Sequence, residues 1–264
     1  MFAYMGGKSK QSKWIVSTFP TNYDLYVEVF GGAFWVYISN NFKNITSKII
    51  YNDIDPMMYN LWSCIKIYND LIPLLEKLPK YDKEFFYECR DKVRNYMNGN
   101  TLFDVPDFNI VIPFIYWQTH SFSGDINGGM SKVNNHIGML NRLKRKDIQQ
   151  KINRMVIENL SYEKVIEKYD SDNTLFYIDP PYYNREHFYG FHPFTVNDHE
   201  KLSKILLNVK SKFVLSYYRT KEIEDLYDEN IFNYNENEYK RSSTSIKQNG
   251  KKDNTVELLI RNFK

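Results

Sequence analysis

Six apolar runs punctuate the chain, and each ends in turn residues. They are DLYVEVFGG at 24–32, SKIIYNDID at 47–55, RMVIEN at 154–159, NTLFYIDPP at 173–181, KSKFVLSYY at 210–218 and NTVELLIRNF at 254–263. Val, Ile, Tyr and Phe dominate them, the residues that fit a pleated surface. Strands buried on both faces read as unbroken hydrophobic runs rather than as strict alternation. Helical patterns separate them at 33–42, 56–68, 161–169, 198–208 and 220–228. Strand and helix in turn predict an α/β fold with a largely parallel sheet covered on both faces.

One stretch breaks the rhythm. From 69 to 153 the pattern is helical at 70–78, 82–97 and 107–118. A Gly/Asn/Ser-rich loop, SFSGDINGGMSKVNNHIG, follows at 121–138, then a basic helix at 139–153. This predicts a sheet domain formed by 1–68 and 154–264 and a helical domain, 69–153, inserted between the second and third strands. No internal repeat or low-complexity linker is present. A chain of 264 residues with 42% hydrophobic and 25% charged residues can bury a full core. No apolar run reaches the roughly 18 residues of a membrane-spanning helix, so no membrane partner is expected. Residues 1–13 are too short and too polar for a signal peptide. Cys64 and Cys89 have no CxxC spacing and no His nearby, which argues against a disulfide framework or a zinc site and fits a reducing cytoplasm. His120, His136, His187, His192 and His199 stand alone and read as structural or surface residues, so no metal is expected.

A net charge of +3 decides little, but its distribution is uneven. Lys and Arg gather at 8–13, 142–154 and 240–252, amid 22 Tyr and 18 Phe. Phosphates need cations and bases need stacking platforms, so the combination suits a nucleic-acid surface. Lys132, Lys144, Arg145, Lys146 and Arg241 are candidate phosphate contacts. Ser121, Ser123, Asp125 and Asn127 of the 121–138 loop are candidates for reading base edges.

Two turns carry candidate chemistry. The first apolar run ends in Gly31-Gly32 before a helical pattern. Glycines there let a ligand approach the backbone, and the helix start presents N–H groups. Asp53 ends the second run, 21 residues beyond Gly32. An acid at that spacing is where α/β folds bind ribose hydroxyls. Neither GxxxxGK[ST] nor a full GxGxxG occurs, which sets nucleoside triphosphates and dinucleotides behind a simpler nucleoside cofactor. The second turn is Asp179-Pro180-Pro181-Tyr182, at the carboxyl end of the fourth run, where open α/β sheets bind ligands. Two prolines fix φ near −65° and stiffen the loop. A carboxylate and a backbone carbonyl can each accept one N–H of an amino group on a heteroaromatic ring. That draws the nitrogen toward tetrahedral geometry and frees its lone pair. Tyr182 can stack on the ring.

On these residues the chain resembles the DNA adenine-N6 methyltransferases of the Dam-like, D12 class, the alpha group of amino-methyltransferases. The match runs from Tyr4-Met5-Gly6-Gly7-Lys8 through Val27-Glu28-Val29-Phe30-Gly31-Gly32 and Tyr51-Asn52-Asp53-Ile54 to the 179–182 tetrad. It continues with Phe194-Thr195 and His199, Ser216-Tyr217 and the basic loop and strand of the tail. It departs at Ala33-Phe34-Trp35, where small residues are common in the family. It also lacks the NVPFG-like stretch of members that read GATC, so the target sequence stays open.

The resemblance implies a class I S-adenosylmethionine-dependent (Rossmann-like) sheet with a reversed last strand, an inserted helical target-recognition domain, and S-adenosylmethionine as cofactor without a metal. It implies double-stranded DNA as partner, with the adenine flipped out of the duplex. By the same resemblance Phe30, Gly31 and Gly32 flank the methionine part, and Asp53 takes the ribose hydroxyls. Tyr4 and Lys8 lie near the cofactor and target pocket. Asp179 and the Pro180 carbonyl hold the amino group, Pro181 stiffens the loop and Tyr182 lies against the base. The expectation is a monomer or weak dimer in the cytoplasm of a bacterial cell or a phage-infected host, with a partner endonuclease left open. A cytosine-N4 or RNA amino-methyltransferase, and a sequence-specific DNA-binding protein without catalysis, are the alternative readings.

Overall fold

A computed structural model describes residues 2, 6–42, 48–99, 105–122, 129–183, 194–240 and 254–264. Its seven strands are β1 (Leu25–Glu28), β2 (Lys48–Asn52), β3 (Met155–Glu158), β4 (Thr174–Ile178), β5 (Lys212–Tyr218), β6 (Asn233–Lys240) and β7 (Asn254–Arg261). They form one sheet in the order β3-β2-β1-β4-β5-β7-β6. β1 pairs parallel with β2 and β4, and β4 with β5. β7 pairs antiparallel with β5 and β6. The last strand in sequence therefore enters reversed between two earlier ones, as a class I S-adenosylmethionine methyltransferase sheet requires.

The chain divides into two compact units. A helical unit comprises Met1–Ser12, Gly32–Asn41 and Asp55–Asn159. A sheet unit comprises Lys13–Gly31, Phe42–Ile54 and Leu160–Lys264. The whole 69–153 stretch lies within the helical unit.

In the sheet unit, alternate residues of each strand face opposite sides, and both sides are buried. Val27, Val29, Phe176, Ile178, Phe213, Leu215, Leu258 and Ile260 join one cluster. Against it pack α9 (Tyr162–Tyr169), α10 (Val196–Leu206) and α11 (Lys221–Leu226) through Val165, Ile166, Leu202, Leu206 and Ile223. Tyr26 and Tyr177 point the other way, onto Phe19, and Phe42 stacks on Phe19 and also meets Tyr26. These doubly buried strands explain why the sequence reads as continuous apolar runs. Local signals start the helices. Ser161 caps α9 by accepting from Lys164 N at 3.4 Å. At α10, Asp198 accepts from both the backbone and hydroxyl of Thr195.

Helix α1 (Ser12–Ser17) precedes β1, and the helical unit holds α2 (Trp35–Ser39), α3 (Pro56–Lys66), α4 (Tyr68–Glu76), α5 (Lys83–Gly99), α6 (Phe108–His120), α7 (Ile137–Leu143) and α8 (Lys146–Asn153). Asp55 caps α3, accepting from Met57 N at 2.8 Å, with Pro56 in the first turn. Cys64 and Cys89 are buried on α3 and α5, and burial pushes both thiols up to about 12. The single basic helix expected at 139–153 is two helices. Leu143 is buried, but the residue one turn on is the exposed Asp147, while the next apolar residue, Ile148, is buried. A continuous helix would turn Ile148 away from the core side, so the chain extends at Arg145 (φ −78°, ψ 130°) and restarts. β6 was not expected either. Its NYNENEYK sequence is polar and unlike a core strand, which suits an edge strand paired, among the described residues, with β7 alone.

Candidate active site

The strand register builds the site. Glu28 of β1 lies opposite Tyr51 of β2 on one side and Tyr177 of β4 on the other. Two residues beyond each of these stand Phe30, Asp53 and Asp179. Three residues singled out from separate stretches thus leave three adjacent parallel strands at one level, at their carboxyl ends. The continuing hydrogen bonds hold that alignment: Val29 N donates to the Tyr177 carbonyl at 3.0 Å, and Gly31 N to the Asn52 carbonyl at 2.7 Å.

Gly31 has no room for a side chain. A Cβ there would overlap the Tyr51 ring and lie 2.9 Å from the Asn52 carbonyl. The first glycine of the pair is thus dictated by close packing of the turn on β2. Asn52, 1% exposed, fastens the same turn. Its Nδ2 donates to the carbonyls of Val29 and Leu160 at 2.9 and 3.0 Å, and its Oδ1 accepts from Leu160 N at 2.9 Å. The sequence places Asn52 in the Tyr51–Ile54 motif without giving it a role, although a lone amide closing an apolar run is a visible signal. Asp53 is half-buried, with the Tyr51 hydroxyl 3.5 Å from its Oδ2. Phe30, also half-buried, meets Tyr162 and, edge-on, Phe194.

In the tetrad, Asp179 and Pro181 are half-buried while Pro180 and Tyr182 are buried. The Tyr182 hydroxyl donates to the Glu257 carboxylate on β7 and lies 2.9 Å from Ser216 Oγ on β5. Ser216 Oγ also donates to Glu257. The Tyr182 ring meets Tyr218 edge-on at 4.3 Å. Burial, then the Asp179 and Glu257 carboxylates, push the Tyr182 phenol far above its ordinary range, so it stays a neutral donor. The next residue, Tyr183, packs on His199, which is fully buried and bonded through Nδ1 to the Tyr217 hydroxyl at 2.7 Å. Phe194 packs edge-on against the same ring. The Phe194-Thr195…His199 segment therefore supports the strand ends by packing.

Gly32 and Lys8 belong to the helical unit. Gly32 takes a left-handed φ of 46°, and its carbonyl accepts from Trp62 Nε1 at 2.8 Å. Phe34 also has a positive φ, 55°, an uncommon conformation for a bulky residue. Its ring, 1% exposed, is wedged against Tyr37 and Trp62, so the bulk after the glycines points into the core. Lys8 is buried, with Nζ donating to the Gly6 carbonyl at 3.2 Å. Tyr4 lies outside the described residues.

The candidate DNA contacts vary in setting. Ser123, Asp125, Asn127 and Arg241 lie outside the described residues. Ser121 is fully buried, and its hydroxyl donates to the Trp117 carbonyl at 2.8 Å, closing α6. Lys132, Lys144, Arg145 and Lys146 are exposed. Lys144 pairs with Glu76 at 2.6 Å and Arg145 grips both oxygens of Asp147 at 3.0 and 2.6 Å. Such exposed pairs are screened by solvent, contribute little, and yield readily to a phosphate. Among the described residues, no group of three His, Cys, Asp or Glu side chains is placed to hold a metal ion, and no helix is long and apolar enough to cross a membrane.

Comparison with known proteins agrees with this layout. Residues 4–243 match the family model of D12 class N6 adenine-specific DNA methyltransferases. The chain is also similar to the type II methyltransferase M.CviBI of Paramecium bursaria Chlorella virus NC1A. The two are 24% identical over 280 residues, covering 98% of each chain.

Proposed function

The chain belongs to the D12 class N6 adenine-specific DNA methyltransferases, and from that premise we propose that Phe30, Asp53 and the 179–182 tetrad are the working edge of the enzyme. The chain methylates adenine in DNA, and its family implies the use of S-adenosylmethionine. The observation that carries the assignment is the common level of Phe30, Asp53 and Asp179 across β1, β2 and β4.

The residues present suit that cofactor. Asp53 offers a half-buried carboxylate to ribose hydroxyls and Phe30 a half-buried ring, on a turn that Gly31 lets pack closely on Tyr51. When bound, S-adenosylmethionine supplies a methyl group on a sulfonium, already activated toward a nitrogen lone pair. What the protein must add is alignment and charge complementarity, which call for no metal. Asp179 and the Pro180 carbonyl accept the two N–H bonds of the adenine amino group and localise its lone pair. The prolines keep both acceptors aimed, and Tyr182 bounds the pocket for the base.

An adenine within a duplex cannot reach such a loop, so the target is flipped out, at a cost of a few kcal/mol. The 69–153 stretch supplies the compensating contacts and reads the sequence. In this reading Lys132, Lys144, Arg145 and Lys146, with Arg241, meet phosphates. The 121–138 loop, with Ser123 and Asn127, reads the target, while the Ser121 hydroxyl is held at the end of α6. By the family resemblance Tyr4 and Lys8 are further candidates for cofactor binding. By analogy with the type II relative, the enzyme marks host or viral DNA in a restriction-modification setting, in the cytoplasm of a cell or infected host. To test this, unmethylated duplex DNA is exposed to the protein and cofactor, then digested to nucleosides and weighed. N6-methyladenine is the expected product. N4-methylcytosine, or methylation of RNA alone, would overturn the reading of the pocket.

A further inference from the structure

A buried acid bonded to the 179–182 loop has no role in the reading above, although it lies in the tail strand. Glu257 is fully buried on β7, followed by Leu258, Leu259 and Ile260, which are fully buried too. An acid among such neighbours is costly unless hydrogen bonds satisfy it, and an apolar residue would fill the place more cheaply. Its Oε1 accepts from the Tyr182 hydroxyl and from Ser216 Oγ, and those two oxygens lie 2.9 Å apart. The three residues come from the loop after β4, from β5 and from β7, three neighbours in the sheet. The register sets them side by side. Ile178 of β4 lies opposite Leu215 of β5, so Asp179 leaves the sheet level with Ser216, and Tyr218 lies opposite Glu257.

We propose that Glu257 is a positioning residue for methyl transfer, which clamps the phenol of Tyr182, with Ser216, and thereby fixes the aim of Asp179 and the Pro180 carbonyl. Pro180 and Pro181 have no N–H, so the loop lacks two backbone donors that would otherwise tie it to a neighbouring strand. Tyr182 restores a donor at the far end of the tetrad, and Glu257 is the acceptor that receives it. The tetrad is thus held at both ends, by β4 before Asp179 and by the clamp after Pro181. The inference rests on the tetrad being the loop that holds the amino group.

The test compares Tyr182→Phe, Glu257→Gln and the double variant by single-turnover methylation, KM for S-adenosylmethionine and thermal melting. Tyr182→Phe keeps the ring against Tyr218 and removes only the hydroxyl. Each single variant should slow methyl transfer by about 10- to 100-fold, the scale for a catalytic group displaced by a fraction of an ångström to an ångström. KM for the cofactor should stay at the wild-type value. The double variant should be no slower than the slower single variant, because both changes break one clamp. A wild-type rate in folded Tyr182→Phe, or losses that multiply in the double variant, would overturn the proposal. If Glu257→Gln does not fold, Tyr182→Phe and Ser216→Ala decide it by the same split between rate and KM. Asp179→Asn run alongside separates the two claims. If it is inactive while the clamp variants keep the wild-type rate, only the clamp fails. If it methylates normally, the reading of the tetrad fails.

Discussion

The sheet unit and the cationic surface of the helical unit carry their candidate residues in opposite ways. In the sheet unit, Phe30, Asp53 and Asp179 emerge from three strands whose hydrogen-bond register fixes their common level. Around them Asn52, His199 and Glu257 are 0–1% exposed and hydrogen-bonded. In the helical unit, Lys132, Lys144, Arg145 and Lys146 stand on turns and helix ends, exposed, and the ion pairs they make are with equally exposed acids. Chemistry on an amino group needs acceptors held within a fraction of an ångström, which buried, paired supports provide. Binding to phosphates needs charge and reach, which a packed core would deny.

If that contrast is right, substitutions in the two units should fail differently. The largest effect is expected at Asp179. Asp179→Asn keeps the shape but replaces an acceptor oxygen with an NH₂ donor and removes the charge. Single-turnover methylation should fall by at least about 10²-fold, the scale for losing one preorganised electrostatic group. Cofactor and DNA affinities, measured by calorimetry and fluorescence anisotropy, should survive. A matching loss of affinity would mean that Asp179 serves binding and would blur the contrast.

A smaller effect concerns the stability of the helical unit in acid. His120 and His136 are buried 5.4 Å apart, beside Tyr116. Burial holds the His120 ring below its ordinary pKa despite its contacts with the Tyr116 and Lys80 carbonyls. Burial, with His120 nearby, lowers His136 to about 4, and neither of its ring nitrogens makes a hydrogen bond of good geometry. A base depressed in the folded state contributes stability above its unfolded pKa of about 6.5, and loses it as pH falls toward 4. Asp55 runs the other way. Burial raises it to about 6, so its stabilising share is present below about 4 and lost as pH rises through 6. The useful readout is therefore a difference. His136→Phe should gain on the wild type by up to roughly 3 kcal/mol between pH 7 and pH 4, followed by urea unfolding. A constant difference across that range would mean that His136 does not titrate against folding.

The smallest effect is spread over the cationic surface. Replacing Lys144, Arg145 and Lys146 by Ala should leave the methyl-transfer rate on saturating DNA unchanged. It should flatten the dependence of log affinity on log salt by about 0.9 for each phosphate no longer neutralised. An unchanged slope would make these residues a solvated face and move the phosphate-binding role elsewhere.

How far the sequence foretold each region follows from the same contrast. The strand runs, the double-glycine turn, Asp53 and the tetrad were legible because parallel strands buried on both faces leave long apolar signatures, and the motifs punctuate their ends. β6 was not, because an edge strand such as NYNENEYK has one neighbour and needs little apolar surface. The break between α7 and α8 rested on a spacing of five residues between Leu143 and Ile148, legible only once both were known to be buried. Ser121, expected to read bases, has its hydroxyl engaged at the end of α6, a local competition that composition does not reveal. Glu257 escaped notice because one acid in an apolar run looks like a solvent-facing residue until its partners, 41 and 75 residues away in sequence, are seen.

Three strand ends must act as one site for any of this chemistry to work. Amide hydrogen exchange with and without S-adenosylmethionine probes that peptide by peptide. The cofactor should slow exchange together in the peptides containing Phe30–Gly32, Asp53 and Asp179–Tyr182, while exchange in β6 and α11 is unchanged. Protection confined to one of the three peptides, or absent from all of them while the cofactor is bound, would contradict a single site.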